Sequence, residues 1–234
     1  MSCTRSKLIG ARFFSAGLQA ELWLAGDRGK LPSQEDLSSP RDYVGHGAHT
    51  LSTAGGSHVR GAGAFGHGTG TAAGGAPRAR VAAYKACYAV GCSDVDVLAA
   101  VLAAVADGVH VLSLSLGADE ASDYLSDPIA IGTFFAVQSG VAVVCSAGNS
   151  GPQPGTVTNV APWMFTVGAS TMDRDFPAYV TFGGSISIEV ICSITTVYFH
   201  GKVVDFHAVL DANCKFCRGK VSGPALCPWA RRIR

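Results

Sequence analysis

Residues 80–117 read RVAAYKACYAVGCSDVDVLAAVLAAVADGVHVLSLSLG, and residues 127–151 read DPIAIGTFFAVQSGVAVVCSAGNSG. These two stretches decide the fold. The run at 80–85 leans to strand, and 93–107 has helical spacing, with Val97, Val101 and Val105 recurring beside Leu98 and Leu102. Ser93 is placed to cap that helix, Asp96 completes a capping-box spacing, and Gly108 follows where a left-handed terminator belongs. Residues 109–116 form the next strand. Asp127 and Pro128 then open a second helix that stops at Gly140. Residues 141–145 are a continuous apolar strand, and 163–169 are a further strand candidate. Short strands alternating with helices of this length predict βαβ units, hence an α/β architecture whose parallel sheet is flanked by helices on both faces.

Outward from this centre the signals weaken. Residues 20–45 are polar and carry Pro32, Ser33, Ser38, Ser39 and Pro40, which reads as loop. Beyond Gly184, residues 185–206 (SISIEVICSITTVYFHGKVVDF) could form strands, whereas 214–234 show no usable period. No internal repeat is apparent.

Bulk properties exclude several function classes. Eighteen Lys and Arg against 17 Asp and Glu leave a net charge of +1, so no strong field draws the chain to nucleic acid or to a membrane surface. The nine-residue apolar run 98–106 is far short of the roughly 20 residues a spanning helix needs. The first residues, MSCTRSKLIGARFF, lack the apolar core and small-residue cleavage site of a signal peptide. Eight scattered cysteines do not establish a disulfide framework. Cys87 and Cys92 could bridge a short loop in an oxidising compartment, and Cys145, inside VAVVC, reads as a buried thiol.

Chemistry in an open α/β sheet gathers where strands end and helices begin. Three segments fall there: GHGAHT at 45–50, SLSLG at 113–117 and SAGNSGP at 146–152. A histidine opening a helix, a glycine-ended strand and an asparagine in a tight glycine loop suit a hydrolase acting on extended peptide. Taken singly, each has a plainer reading, since a histidine beside glycine is more often a turn or core residue. His67, in GHGTGT, keeps that plain reading, as part of a glycine loop. Cys214 and Cys217 have a metal-ligand or redox spacing, but no second such pair accompanies them, so coincidence is the better account.

Taken in order, these motifs resemble the subtilases, the subtilisin-like serine proteases, and their plant branch in particular. GHGAHT is similar to the family's histidine motif and SAGNSGP to its oxyanion-asparagine motif. KLIGARFFSAG, SPRD, GAPRARVAAYKAC and NVAPWMFTVGAST fit the same pattern, so the resemblance spans residues 3–184. It implies that His46 is the catalytic general base, with His49 structural. Asn149 is then the side-chain donor of the oxyanion hole. By the same resemblance, Ser115, Leu116 and Gly117 pair with substrate backbone, and Ala147 and Gly148 line the pocket for the residue before the scissile bond. The implied partner is a polypeptide substrate, the implied compartment is extracellular, and neither cofactor nor metal is called for. Residues 1–45 are then an N-terminal, mostly loop segment of the catalytic domain and 46–184 a partial catalytic core. Residues 185–234 are a divergent tail, with Gly201 to Val204 faintly like the start of an inserted protease-associated domain.

Two departures from the family bear on activity. A triad needs a serine, a base and an orienting carboxylate. The family's aspartate strand precedes the KLIGAR segment, and its serine sits in a Gly-Thr-Ser-Met-like motif that does not occur here. Asp27, which follows KLIGAR, is in the wrong place to serve. The expectation is an incomplete subtilase that does not cleave peptides as given. The alternative is a non-catalytic fragment that binds peptides or a propeptide. At finer grain, Ala48 stands where the family usually has Thr, and Val44 where it usually has Asp.

Overall fold

The computed structural model describes residues 7–64 and 67–170, and beyond them three strands at 177–182, 186–191 and 219–221. It divides into two units, Met1–Ser170 and Thr171–Arg234. In chain order the first unit runs β1 (Leu8–Phe13), α1 (Ala16–Leu24), a 3-10 turn (Arg28–Lys30), α2 (Gln34–Leu37) and α3 (His46–Gly55). It continues through β2 (Val59–Ala64), β3 (His67–Ala72), β4 (Val81–Lys85), β5 (Cys87–Tyr88), β6 (Gly91–Cys92) and α4 (Asp94–Ala106). It ends with β7 (Val111–Leu114), α5 (Pro128–Gln138), β8 (Ala142–Ser146) and β9 (Phe165–Val167). In the second unit β10 (Pro177–Phe182), β11 (Ile186–Ile191) and β12 (Gly219–Val221) form an antiparallel sheet. Cys214, Cys217 and residues 201–204 lie outside the described residues.

The expected α/β fold is present, and its helices and strands fall where the periodicity put them. Asp127 Oδ1 accepts from the Ile129 N–H at 2.8 Å with Pro128 at the first helical position. Gly108 takes φ +78° after α4. The parallel strands do not form one continuous sheet among the described residues. β1 pairs with β4, and separately β7, β8 and β9 pair in register Leu114 to Cys145 and Cys145 to Thr166. One core joins the two sheets. Leu112, Leu114, Val143 and Cys145 pack with Val97, Val101 and Ala104 of α4 and Ala130 and Ala136 of α5, while Tyr84 of β4 leans on the same cluster. Burying a side chain such as Val143 contributes about 1.5–3 kcal/mol.

Side chains alternate along a strand, so the register also defines the opposite face. There Val111, Phe165 and Val167 are exposed, Phe165 at 68%. Only one face of the β7–β9 sheet is therefore covered by described residues, where the sequence predicts cover on both.

Local expectations fail at three places. The stretch 20–45 opens inside α1 and holds a 3-10 turn and α2, so it is not simply loop. Its missing signal is long-range. Asp96, 2% exposed, accepts the Gly17 and Leu18 N–H groups at 2.9 Å each, capping α1 from α4. The capping box read at Ser93 and Asp96 is diverted accordingly, with Ser93 Oγ donating to Glu21 at 2.6 Å and making no cap bond. The glycine-rich stretch around His67 is no plain loop either, because β2 and β3 form an antiparallel hairpin there.

Candidate active site

His46 is the first residue of α3, exposed, with Gly45 as N-cap at φ +92°. Glycine occupies that left-handed conformation without a Cβ penalty. Asp42, ahead of the helix, supplies what the glycine cannot. Its Oδ1 accepts from the N–H groups of Val44 at 3.0 Å and Gly45 at 2.7 Å, and its Oδ2 from Ala48 at 2.7 Å. Burial is the largest single influence on this carboxyl and opposes ionisation. The three backbone donors and the charge of Lys85 outweigh it together and hold Asp42 below the ordinary carboxylate range.

Lys85 closes β4. Its side chain, 10% exposed, pairs with the Asp36 carboxylate and donates to the carbonyls of Asp36 at 2.9 Å, Ser39 at 3.2 Å and Arg41 at 2.8 Å. The rings of Tyr88 and Tyr43 lie 4.6 and 5.4 Å from the ammonium. The segment from α2 to α3 is thus tied to the carboxyl end of β4.

The other candidate residues gather at the carboxyl ends of β7 and β8. Ser115, Leu116 and Gly117 follow β7 directly, and Ala147 to Asn149 follow β8, with Asn149 exposed. Asn159 joins the two ends, since its Nδ2 donates to Leu116 O at 3.0 Å and to Ser146 O at 2.8 Å. The Ala147 N–H donates to Val167 O at 2.9 Å, and its carbonyl accepts from Thr158 N at 3.1 Å. Gly148, at φ +84°, and Gly117 both back onto Thr158. A Cβ at either would stand 3.0 or 3.4 Å from the Thr158 hydroxyl, itself buried and without a hydrogen-bond partner among the described residues. Leu116, Gly117, Tyr124, Asp127, Thr158 and Asn159 line a cleft of about 470 Å³. Among the described residues no hydrogen bond or ion pair links His46 to this assembly, and no group of three or more His, Cys, Asp or Glu could hold a metal ion.

The profile of the subtilase family, Peptidase_S8, matches residues 21–207. The chain belongs to the subtilase family. Subtilisin-like protease SBT5.4 of Arabidopsis thaliana is 51% identical over 229 residues, covering 96% of this chain and 28% of that protein. Subtilisin-like protease SBT1.7 of the same plant is 52% identical over 181 residues, covering 77% and 23%. Subtilisin-like protease Glyma18g48580 of Glycine max is 48% identical over 192 residues, covering 79% and 23%. This subtilase chain spans about a quarter of the length of the curated relatives it matches. Among solved structures, Sphericase is similar at 26% identity and TM-score 0.38, covering 60% of this chain and 41% of that one.

Sequence reasoning did not single out Asp42, Lys85, Thr158 or Asn159 in this subtilase. Only Asp42 left a local trace, as an aspartate three residues before the N-cap glycine. The others act on segments 10 to 49 residues away, which no local pattern reports.

Proposed function

We propose that this chain carries part of the machinery of a subtilisin-like serine endopeptidase. In it His46 is the general base, Asn149 the oxyanion donor, and Ser115, Leu116 and Gly117 the backbone that pairs with a polypeptide substrate. Ala147 and Gly148 form a wall of the pocket for the residue before the scissile bond. The observation that carries the reading is the family match over residues 21–207 together with two placements: His46 at the start of α3, and Asn149 in the glycine loop after β8. The 234 residues contain no Gly-Thr-Ser motif to supply a nucleophile, and residues 1–7 contain no Asp or Glu. The chain by itself therefore does not turn over peptides. The Cys87–Cys92 disulfide favours an oxidising, extracellular setting.

The test is a chimera in which this chain's residues replace the matching stretch of the Arabidopsis protease SBT5.4, whose remainder supplies the missing groups. Hydrolysis of a chromogenic peptide is expected from the chimera and not from the 234-residue chain. His46→Gln should abolish turnover, on the order of 10⁶-fold as when subtilisin loses its base. Asn149→Ala should lower turnover about 10²–10³-fold, the magnitude known for subtilisin's own asparagine. A chimera indifferent to His46→Gln refutes the assignment. Turnover by the isolated chain, silenced by a serine-directed inhibitor, refutes its inactivity. The second reading, peptide or propeptide binding, draws support from the Ser115 to Gly117 segment leaving the sheet beside an open cleft. It predicts saturable peptide binding by the isolated chain that Gly117→Val removes.

A further inference from the structure

The segment between α2 and α3, residues 38–45, belongs to no sheet or helix, yet it delivers His46. Something must hold it, because a base misplaced by an ångström loses much of its effect. Three bonds within the segment and its flank are local. The Arg41 N–H donates to Ser39 Oγ at 3.2 Å, Ser38 Oγ donates to Gln34 O at 2.6 Å, and Tyr43 OH donates to Glu35 at 2.7 Å. None of these reaches the sheet. The tie to the sheet is Lys85, which gathers the carbonyls of Asp36, Ser39 and Arg41 around one ammonium. The residue after the last of these carbonyls is Asp42, whose two oxygens take the Val44, Gly45 and Ala48 N–H groups. A nearly buried cation satisfied mostly by main-chain carbonyls fixes backbone rather than side chains. The carboxylate next to it then clamps the first turn of the helix that His46 opens.

We propose that Lys85 and Asp42 are positioning residues for His46, a two-step tie from the carboxyl end of β4, through the 36–42 segment, to the first turn of α3. The proposal rests on the reading of His46 as the general base for its importance, though not for its geometry. Lys85 carries the tie because it bonds the segment at three carbonyls and the Asp36 carboxylate, and Tyr43 and Tyr88 shield it from water. Asp42 divides its oxygens, with Oδ1 serving Val44 and Gly45 ahead of His46 and Oδ2 serving Ala48 behind it, so His46 lies between the two anchor points.

Amide hydrogen exchange and the His46 Cε1–H signal in ¹H–¹³C NMR, both on the full 234-residue chain, test this without any proteolysis. His46→Gln assigns the signal. Asp42→Ala should speed exchange at Ala48 and Gly45 about tenfold and shift or broaden the His46 signal, with β7 and β8 amides unchanged. Asp42→Asn, with one acceptor oxygen left, should restore protection on one side of His46 and not the other. Lys85→Met should speed exchange at Ala48 as Asp42→Ala does, although it touches no group in α3, and Lys85→Arg should restore part of it. If Lys85→Met unfolds the chain, shown by loss of β8 protection, the Asp42 pair decides alone. The proposal is overturned if Ala48 exchange in a folded Lys85→Met chain stays within threefold of the parent. It is also overturned if Asp42→Ala leaves the His46 signal in place. Either failure leaves the assignment of His46 as base to the chimera assay, which is read independently.

Discussion

Replacing Asp96 by Ala should detach α1 from the rest of the fold. The carboxylate is 2% exposed and accepts two main-chain N–H groups, those of Gly17 and Leu18, at 2.9 Å each. Hydrogen bonds to a charged group are worth about 1.5–3 kcal/mol each, so the pair has a ceiling of about 6 kcal/mol. Relief of the buried charge and partial entry of water beside Gly17 lower this, and about 3 kcal/mol remains. Leu18 is itself buried against Leu37 and Tyr88, so its amide cannot turn to solvent without emptying that small core. Asp96→Asn keeps one acceptor and should cost about half as much. Urea unfolding is the assay. With a slope of about 2 kcal/mol/M, Asp96→Ala should move the midpoint down by about 1.5 M. Amide exchange adds the location, since α1 amides should exchange about 100-fold faster while β8 amides, in the main core, are the least affected. A midpoint shift below about 0.3 M would show that α1 is held by something other than this carboxylate. A loss of protection spread evenly over β7 to β9 would show that α1 is not a separable element.

Other expectations follow from single groups. Cys145 is buried against Met164, and burial, with a smaller push from Asp127, raises its thiol to about 11. In the native chain Cys145 should therefore resist alkylation at pH 8.5 and react at once in urea, as peptide-level mass spectrometry would show. An unfolded thiol ionises near pH 8.5–9, so above that pH the unfolded state sheds a proton that the folded state keeps. Stability from this group is full below pH 8.5 and is lost as pH rises toward 11, a fall that Cys145→Ala should remove. The Cys87–Cys92 disulfide closes a loop with a sequence separation of only 5. Chain entropy gives it about 2 kcal/mol, so a double Ser variant should unfold at a urea midpoint about 1 M lower with its fold intact. Capping the exposed face of Val111, Phe165 and Val167 with charge, by Val111→Lys and Phe165→Glu, should reduce self-association of the isolated chain in sedimentation, because this face is apolar and uncovered among the described residues.

Sequence alone determined the elements whose signals are local. Valine spacing set α4, Asp127 with Pro128 set the start of α5, and VAVVC set β8, because helix periodicity, caps and apolar runs act over a few residues. The order of GHGAHT and SAGNSGP along the chain was enough to name the family. The tertiary structure alone decided that Asp96 caps α1 rather than its own helix, that Lys85 holds the approach to His46, and that Asn159 ties the ends of β7 and β8. It also decided that one face of the parallel sheet stands open among the described residues, which composition and pattern did not signal. The physical reason is the same in each case. A buried charge or amide takes whatever main-chain partner the fold brings within about 3 Å, and that partner can lie dozens of residues away.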